Sequence, residues 1–193
     1  MAITIIGILL GMVLLRGGSV ISSANTASTI TLIKELNETI NDFKNRYHYL
    51  PGDLPLALND IPNISTTCNI AIATANIGNG RVDTATETGC VAEQLVTAGL
   101  IKGSTVGLFT QANGSVTPDV FLTARRTTGS NPPTFSTSVQ NEIQIKNLPC
   151  ETAQGVDSKM DDGNFAAGRI QASVATCVAS GTNDPVPLLD IAF

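Results

Sequence analysis

The sequence lacks tryptophan, contains a single histidine, and has charged side chains at only 14% of its 193 positions. With one histidine, His48, and no CxxC pair, the chain does not have the ligand set of a Cys/His zinc site. No HExxH, P-loop or GxSxG pattern occurs either. We interpret His48 as a helix-surface residue rather than a general base. We therefore expect that the protein is not an enzyme and has no catalytic residues.

Basic residues are also scarce. The chain has 11 Lys and Arg against 16 Asp and Glu, for a net charge of −5. The first 50 residues hold four basic and three acidic side chains, so the negative charge lies in the remainder. An acidic region without a stripe of Lys and Arg repels phosphate backbones. We expect no nucleic-acid partner.

Proline is absent from the first 50 residues, which begin with a nearly uninterrupted apolar run from Ala2 to Leu15. As a helix this run is about 21 Å long, whereas a bilayer core is about 30 Å thick. No basic region precedes the run and no A-x-A site follows it, so it is not typical of a secretory signal. An apolar run of this length is also typical of a buried core helix, which is the alternative interpretation.

A regular apolar pattern occupies the end of the proline-free region. Six apolar residues follow at intervals of three and four, which makes one stripe on a helix: Ile33, Leu36, Ile40, Phe43, Tyr47 and Leu50. Between them lie two pairs of opposite charge at the i, i+4 spacing, Lys34/Glu38 and Asp42/Arg46. The pattern predicts an amphipathic helix with one solvated face, ended by Pro51-Gly52.

We expect one N-terminal helix over residues 1–50, apolar in 1–18 and amphipathic in 19–50, followed by a head of residues 51–193. The head can cover one face of the amphipathic part, but a straight helix leaves the apolar part without cover from its own chain. That part must be buried in lipid or among other subunits. The predicted packing residues are Ile5, Ile6, Gly7, Leu10 and Gly11, and the Gly7-x-x-x-Gly11 spacing allows close helix approach.

The head contains short strand-like runs. They cover 106–110, 120–124, 142–148 and 169–178, with an Asn113-Gly114 turn after the first. A short helix is predicted from Val91 to Ala98, ended by Gly99. A long helix followed by antiparallel strands predicts an α+β fold, in which the N-terminal helix packs on a small antiparallel sheet.

Four widely spaced cysteines lie in the head: Cys68, Cys90, Cys150 and Cys177. An even number beside a membrane-type segment favours two disulfides and an oxidising compartment. Of the three possible connectivities we favour sequential pairing, Cys68 with Cys90 and Cys150 with Cys177. The alternative is four reduced, buried thiols.

An acidic cluster near the C-terminus has the composition of a cation site. Asp161 and Asp162 precede Gly163-Asn164, and Asp157 lies four residues before Asp161. Clustered oxygens and a glycine turn suit calcium, although only part of an EF-hand pattern is present. The alternative is a turn in which the Asp and Asn side chains bind backbone groups.

Four segments carry a family resemblance: AITIIGILLGMVL (2–14), FKNRYHYLPGDLP (43–55), EQLVTAGLI (93–101) and DSKMDDGNFAAGRI (157–170). Together they resemble the type IV pilin and type II secretion pseudopilin superfamily. The first two are similar to its N-terminal helix and its Leu-Pro-Gly-Asp turn, and the last two to segments of one pseudopilin-like group. Family precursors carry a basic leader, then an aromatic residue and a glutamate. We expect that this sequence lacks the leader and first mature residues.

The resemblance implies a structural subunit of a type IV pilus-like or type II secretion pseudopilus filament. Its partners would be copies of itself, other pilin-like subunits, the bacterial inner membrane and the assembly platform. The head would lie in the periplasm before the subunit enters a periplasmic or extracellular filament. No cofactor is implied except calcium, which some relatives bind near the C-terminus. The alternative is a minor subunit at the filament tip that acts as an adhesin or substrate-binding module.

Overall fold

The structure is a computed structural model that describes residues 2–55, 61–69, 76–102, 119–127, 134–174 and 185–193. Within these ranges the side chains are described except those of 2–21 and of residue 119. Among the described residues, no helix has a stretch long and apolar enough to cross a bilayer. The predicted packing residues, Ile5 to Gly11, lie outside the described side chains.

Helix α1 extends from Ala2 to Tyr47, a length of about 69 Å at roughly 1.5 Å per residue. The predicted apolar stripe is confirmed over the described part: Ile33, Leu36, Ile40, Phe43 and Leu50 are buried and Tyr47 is partly buried. The predicted charge pairs lie on the exposed face. The helix ends where His48 takes a left-handed backbone conformation, with φ at 65°. His48 itself is exposed.

Two polar residues, Thr26 and Thr29, are also buried on α1. Their hydroxyl groups donate to the carbonyl oxygens of Ser22 and Asn25 at 2.9 Å, so each is satisfied within the helix. Gly155 of the head packs against this region, because a Cβ at that position would lie 2.6 Å from Thr26 Oγ1. Thr26 is the first side chain of α1, among those described, that the head buries.

Helix α2 extends from Ala85 to Thr97, and helix α3 from Cys150 to Met160. The C-terminal end of α2 was predicted correctly: Gly99 has φ at 73°, and its N–H donates to Val96 O. The N-terminal end was wrong by six residues. Helix α2 begins after a capping box, in which Thr84 and Glu87 each accept from the other's backbone N–H. Helix α3 was not predicted.

Within the described residues, four antiparallel strands form one sheet in the order β1-β2-β4-β3: β1 Asp119–Ala124, β2 Asn141–Pro149, β3 Ile170–Ala172 and β4 Pro185–Ala192. Strands were predicted at 120–124 and 142–148 and are confirmed. The strand predicted over 169–178 is confirmed for Ile170–Ala172. It is wrong for 173–174, which are described but are not part of the strand, and from 175 onward it lies outside the described residues. The strand at 106–110 and the Asn113-Gly114 turn also lie outside them.

One face of the sheet is apolar. It presents Val120, Leu122, Ile143, Ile145, Leu189 and Ile191, which share a core with the apolar stripe of α1. Burying each apolar side chain in this core contributes about 1.5–3 kcal/mol. The fold is therefore α+β, with a long N-terminal helix and a small antiparallel sheet.

Cys68 and Cys90 are joined by a disulfide, with their Cα atoms 5.3 Å apart, as sequential pairing predicts. The bridge ties the segment after α1 to helix α2. Cys150, at the start of α3, is also disulfide-bonded. Its predicted partner, Cys177, lies outside the described residues.

A candidate cation site at the end of helix α3

Helix α3 places three carboxylates together at its C-terminal end. Asp157 lies in its last turn, and Asp161 follows one turn later, where its N–H donates to Asp157 O at 2.7 Å. Asp162 comes next in the chain. One carboxylate oxygen from each of the three residues lies within 4.8 Å of the other two. The predicted calcium ligands are therefore brought together.

Asp161 is fixed by the backbone of the loop that returns to the sheet. Its Oδ2 accepts from the N–H groups of Arg169 at 2.5 Å and Ile170 at 2.8 Å. Gly168 must be glycine here, because its φ is 76° and a Cβ would lie 2.1 Å from Asp161 Oδ2. This carboxylate consequently holds the entry of strand β3.

Asp162 and Asn164 form the turn that the alternative interpretation predicts. Asp162 Oδ1 accepts from Asn164 N at 2.8 Å, and Asn164 Oδ1 accepts from Ala166 N at 3.1 Å. Gly163 between them has φ at 76°. Turn chemistry thus accounts for one oxygen of Asp162 and one of Asp161, but not for Asp157.

Asp157 is the residue that turn chemistry leaves unexplained. Its side chain is fully buried, and within the described residues neither carboxylate oxygen has a hydrogen-bond partner. Burial, together with the charges of Asp162 and Asp161, raises the pKa of Asp157 to about 6. No ion pair joins the three carboxylates to a Lys or Arg among the described residues. A buried carboxylate without a partner is costly, and a cation held between the three would remove that cost.

The donor set determines which cation fits. Three carboxylates offer hard oxygen ligands and no nitrogen or sulfur, which favours calcium or magnesium over zinc. Calcium takes 6–8 oxygens in flexible geometry, and Asp157 can contribute both of its own. The exposed Asp162 leaves the cluster open to solvent on one side. The residues present fit a calcium ion.

A concave surface of about 360 Å³ lies at the C-terminal end of α1, beside His48, Tyr49 and Asp53. Asp53 lies in the turn that leaves α1, and its carboxylate accepts from the N–H groups of Gly78, Asn79 and Gly80. Asn141, also in the wall, is engaged as well, with Val82 N donating to its Oδ1 and its own Nδ2 donating to Gly80 O. The buried polar groups of this groove serve the fold.

In comparisons with known proteins, no family model, no curated protein and no solved structure matches this chain.

Proposed function

We propose that this chain is a structural subunit of a type IV pilus-like or type II secretion pseudopilus filament, anchored in the inner membrane before assembly. The observation that supports the proposal is the continuity of α1 from Ala2 to Tyr47, with burial by the head beginning at Thr26 among the described side chains. The helix before Thr26 is about 36 Å long at roughly 1.5 Å per residue. That length contains the apolar run from Ala2 to Leu15.

An apolar helix of this kind can exchange lipid for neighbouring helices at little net cost, because lipid tails and apolar side chains are similar environments. Assembly is then driven by close packing rather than by the hydrophobic effect. The Gly7-x-x-x-Gly11 spacing supplies the small residues that such packing uses. A small net free energy also leaves the filament open to disassembly by a motor.

The disulfides agree with the proposed location of the head. The bridge between Cys68 and Cys90 and the bonded state of Cys150 suit an oxidising compartment such as the bacterial periplasm. The proposed partners are further copies of this chain, other pilin-like subunits and the assembly platform.

Replacing both Gly7 and Gly11 by leucine is expected to abolish filament assembly while leaving the head folded. Leucine favours the helix, so the change adds bulk to the packing surface without breaking α1. Assembly is measured as the amount of protein in sheared filaments and by electron microscopy. The folding of the head is measured by its melting transition.

The matched control exchanges Ile5 for leucine and Leu10 for isoleucine, which conserves apolar volume at neighbouring positions. This control should assemble normally. Normal filaments from the double leucine variant would contradict the proposal. Immunogold labelling along whole filaments supports a major structural subunit, whereas labelling confined to tips supports the alternative of a minor adhesin or substrate-binding subunit.

We also propose that Asp157, Asp161 and Asp162 bind a calcium ion that stabilises the head. The specific observation in favour is the buried Asp157 carboxylate, which has no hydrogen-bond partner among the described residues. The ion would join the end of α3 to the loop that leads into β3.

Calcium is expected to raise the melting temperature of the wild-type protein and to leave that of Asp157→Asn unchanged. Binding to the folded state alone stabilises by about 2.7 kcal/mol at a hundredfold excess over Kd. The measurements are thermal unfolding with calcium and with a chelator, and calorimetric titration. Asp83→Asn, an exposed residue outside the cluster, is the control and should keep the calcium response. No heat and no shift in the wild-type protein would refute the site.

A further inference from the structure

A row of polar residues crosses the face of the sheet opposite the apolar core. In the register, Gln144 of β2 and Gln171 of β3 both lie directly opposite Asp190 of β4. Because side chains alternate along a strand, this row points away from Ile143, Ile145 and Leu189. We call this side the outer face.

Part of the outer face is buried although it carries charge. Asp190 and Glu142 are 0% and 1% exposed. Both carboxylates form ion pairs with the guanidinium of Arg126. Arg126 Nη2 donates to Asp190 Oδ2, and Arg126 Nε lies 3.4 Å from Glu142 Oε1. Gln144 Nε2 also donates to Glu142 Oε1 at 2.8 Å. Two buried carboxylates therefore share one cation, which leaves one negative charge uncompensated if both are ionised.

Two buried oxygens in this row have no hydrogen-bond partner among the described residues: Asp190 Oδ1 and Gln171 Oε1. They belong to directly opposed residues, whose Cβ atoms lie about 4.5–5.5 Å apart in an antiparallel pair. Gln171 Nε2 donates to Gly168 O at 3.3 Å, which fixes the orientation of the amide. Two buried acceptors on opposed residues are unfavourable unless one of them carries a proton.

We propose that Asp190 is protonated on Oδ1 and donates to Gln171 Oε1, so that this proton holds edge strand β3 on β4 and its release loosens β3. The proton satisfies both oxygens at once. It also reduces the cluster to one carboxylate, that of Glu142, and one guanidinium. This inference concerns the head alone and does not depend on filament assembly.

The groups that face Asp190 support a protonated state. Burial and then the charge of Glu142 raise the pKa of Asp190 to about 7, against the opposing effects of Arg126 and of the Gln144 side chain. Two other cations near the row are engaged elsewhere. Lys146 Nζ lies 4.7 Å from the centre of the Phe121 ring, and Nη2 of the exposed Arg169 donates to Ala192 O. Among the described residues, Arg126 is thus the cation paired with Asp190.

The sign of the pH dependence follows from the raised pKa. A carboxyl that binds its proton more tightly in the folded state stabilises that state most below its unfolded pKa of about 3.8. The stabilisation is lost as the pH rises to about 7. Strand β3 has only three residues and pairs with β4 at the sheet edge, so it is the element expected to open.

The test is amide hydrogen exchange of Ile170–Ala172 in the full chain, corrected for the intrinsic effect of pH on exchange. In the wild-type sequence, protection should fall about tenfold per pH unit up to about pH 7 and then level off, since opening releases one proton. In Asp190→Asn it should be independent of pH, because the Asn amide donates to Gln171 while its oxygen accepts from Arg126. Both proteins carry Asp157→Asn, which removes the raised carboxyl of the cluster whose Asp161 accepts from Arg169 and Ile170 at the entry of β3.

Asp83→Asn, an exposed carboxyl, is the control and should keep the wild-type pH profile. A second measurement needs no variant at Asp190: carboxyl carbon NMR should show Asp190 titrating near pH 7. Titration of Asp190 near pH 4, or wild-type protection that does not change with pH, would overturn the proposal. So would a pH dependence that persists in Asp190→Asn.

Discussion

Asp53→Ala is expected to destabilise the head by about 4 kcal/mol, because three backbone N–H groups lose a fully buried charged acceptor. Asp53 Oδ1 accepts from Gly78 N at 2.5 Å and Asn79 N at 3.2 Å, and Oδ2 accepts from Gly80 N at 2.7 Å. Each such bond is worth about 1.5–3 kcal/mol, and the three are not additive. Urea unfolding followed by circular dichroism measures the loss.

Two variants separate this effect from a general sensitivity to lost charge. Asp53→Asn keeps one acceptor oxygen and should lie between wild type and Asp53→Ala. Asp83→Ala removes an exposed carboxyl and should change the free energy of unfolding by no more than about 0.5 kcal/mol. Equal losses in Asp53→Ala and Asp83→Ala would show that the three amides do not depend on Asp53.

The bonds of Asp53 show which part of a site a sequence can predict. The sequence indicates that Asp53 is structural, since it follows a helix end and Pro-Gly. It does not indicate that the partners lie 25 to 27 residues further along, because that contact exists only once the chain is folded. Asp157, Asp161 and Asp162, by contrast, were predicted together because they lie close to one another in the sequence, beside the turn at Gly163.

The secondary-structure elements, too, were predictable mainly where the signal is local in the sequence. The stripe on α1 was predictable because its period comes from local geometry, and so was the alternation around Ile143 and Ile145. The start of α2 was missed although Thr84-x-x-Glu87 carries the capping-box pattern. Helix α3 gave no such signal: its N-cap residue is Pro149, without a side-chain cap bond, and Gly155 interrupts its middle.

Strand β4 was missed because it contains two prolines, which argue against a central strand. The register explains how the strand tolerates them. Pro185 is its first residue, and Pro187 lies at a position that the pairing with β2 skips, opposite Asn147. Asn147 has φ at 58°, so the ladder is locally distorted where an N–H is lacking. The row on the outer face depends on this register and could not be predicted without it.

Gly52→Ala is expected to destabilise the head by about 4 kcal/mol, combining backbone strain with a steric clash. Gly52 has φ at 92°, and a Cβ there would lie 2.5 Å from the carbonyl oxygen of Glu87 and 2.9 Å from Val91 Cγ2. Helix α2 would have to move away from the end of α1. That movement would also break the 2.6 Å hydrogen bond from Gly52 N to Gln94 Oε1.

Gly99→Ala is the matched control, because Gly99 has φ at 73° but no atom within 4 Å of an added Cβ. The Gly99→Ala variant introduces the backbone strain without the steric clash, so it should lower the free energy of unfolding by about 1–2 kcal/mol. Urea unfolding of both variants therefore measures the contact between the Leu-Pro-Gly-Asp turn and α2 as a difference. Equal losses of unfolding free energy in the two variants would mean that helix α2 moves aside at no measurable cost. The close approach of the two elements would then not be what requires glycine at position 52.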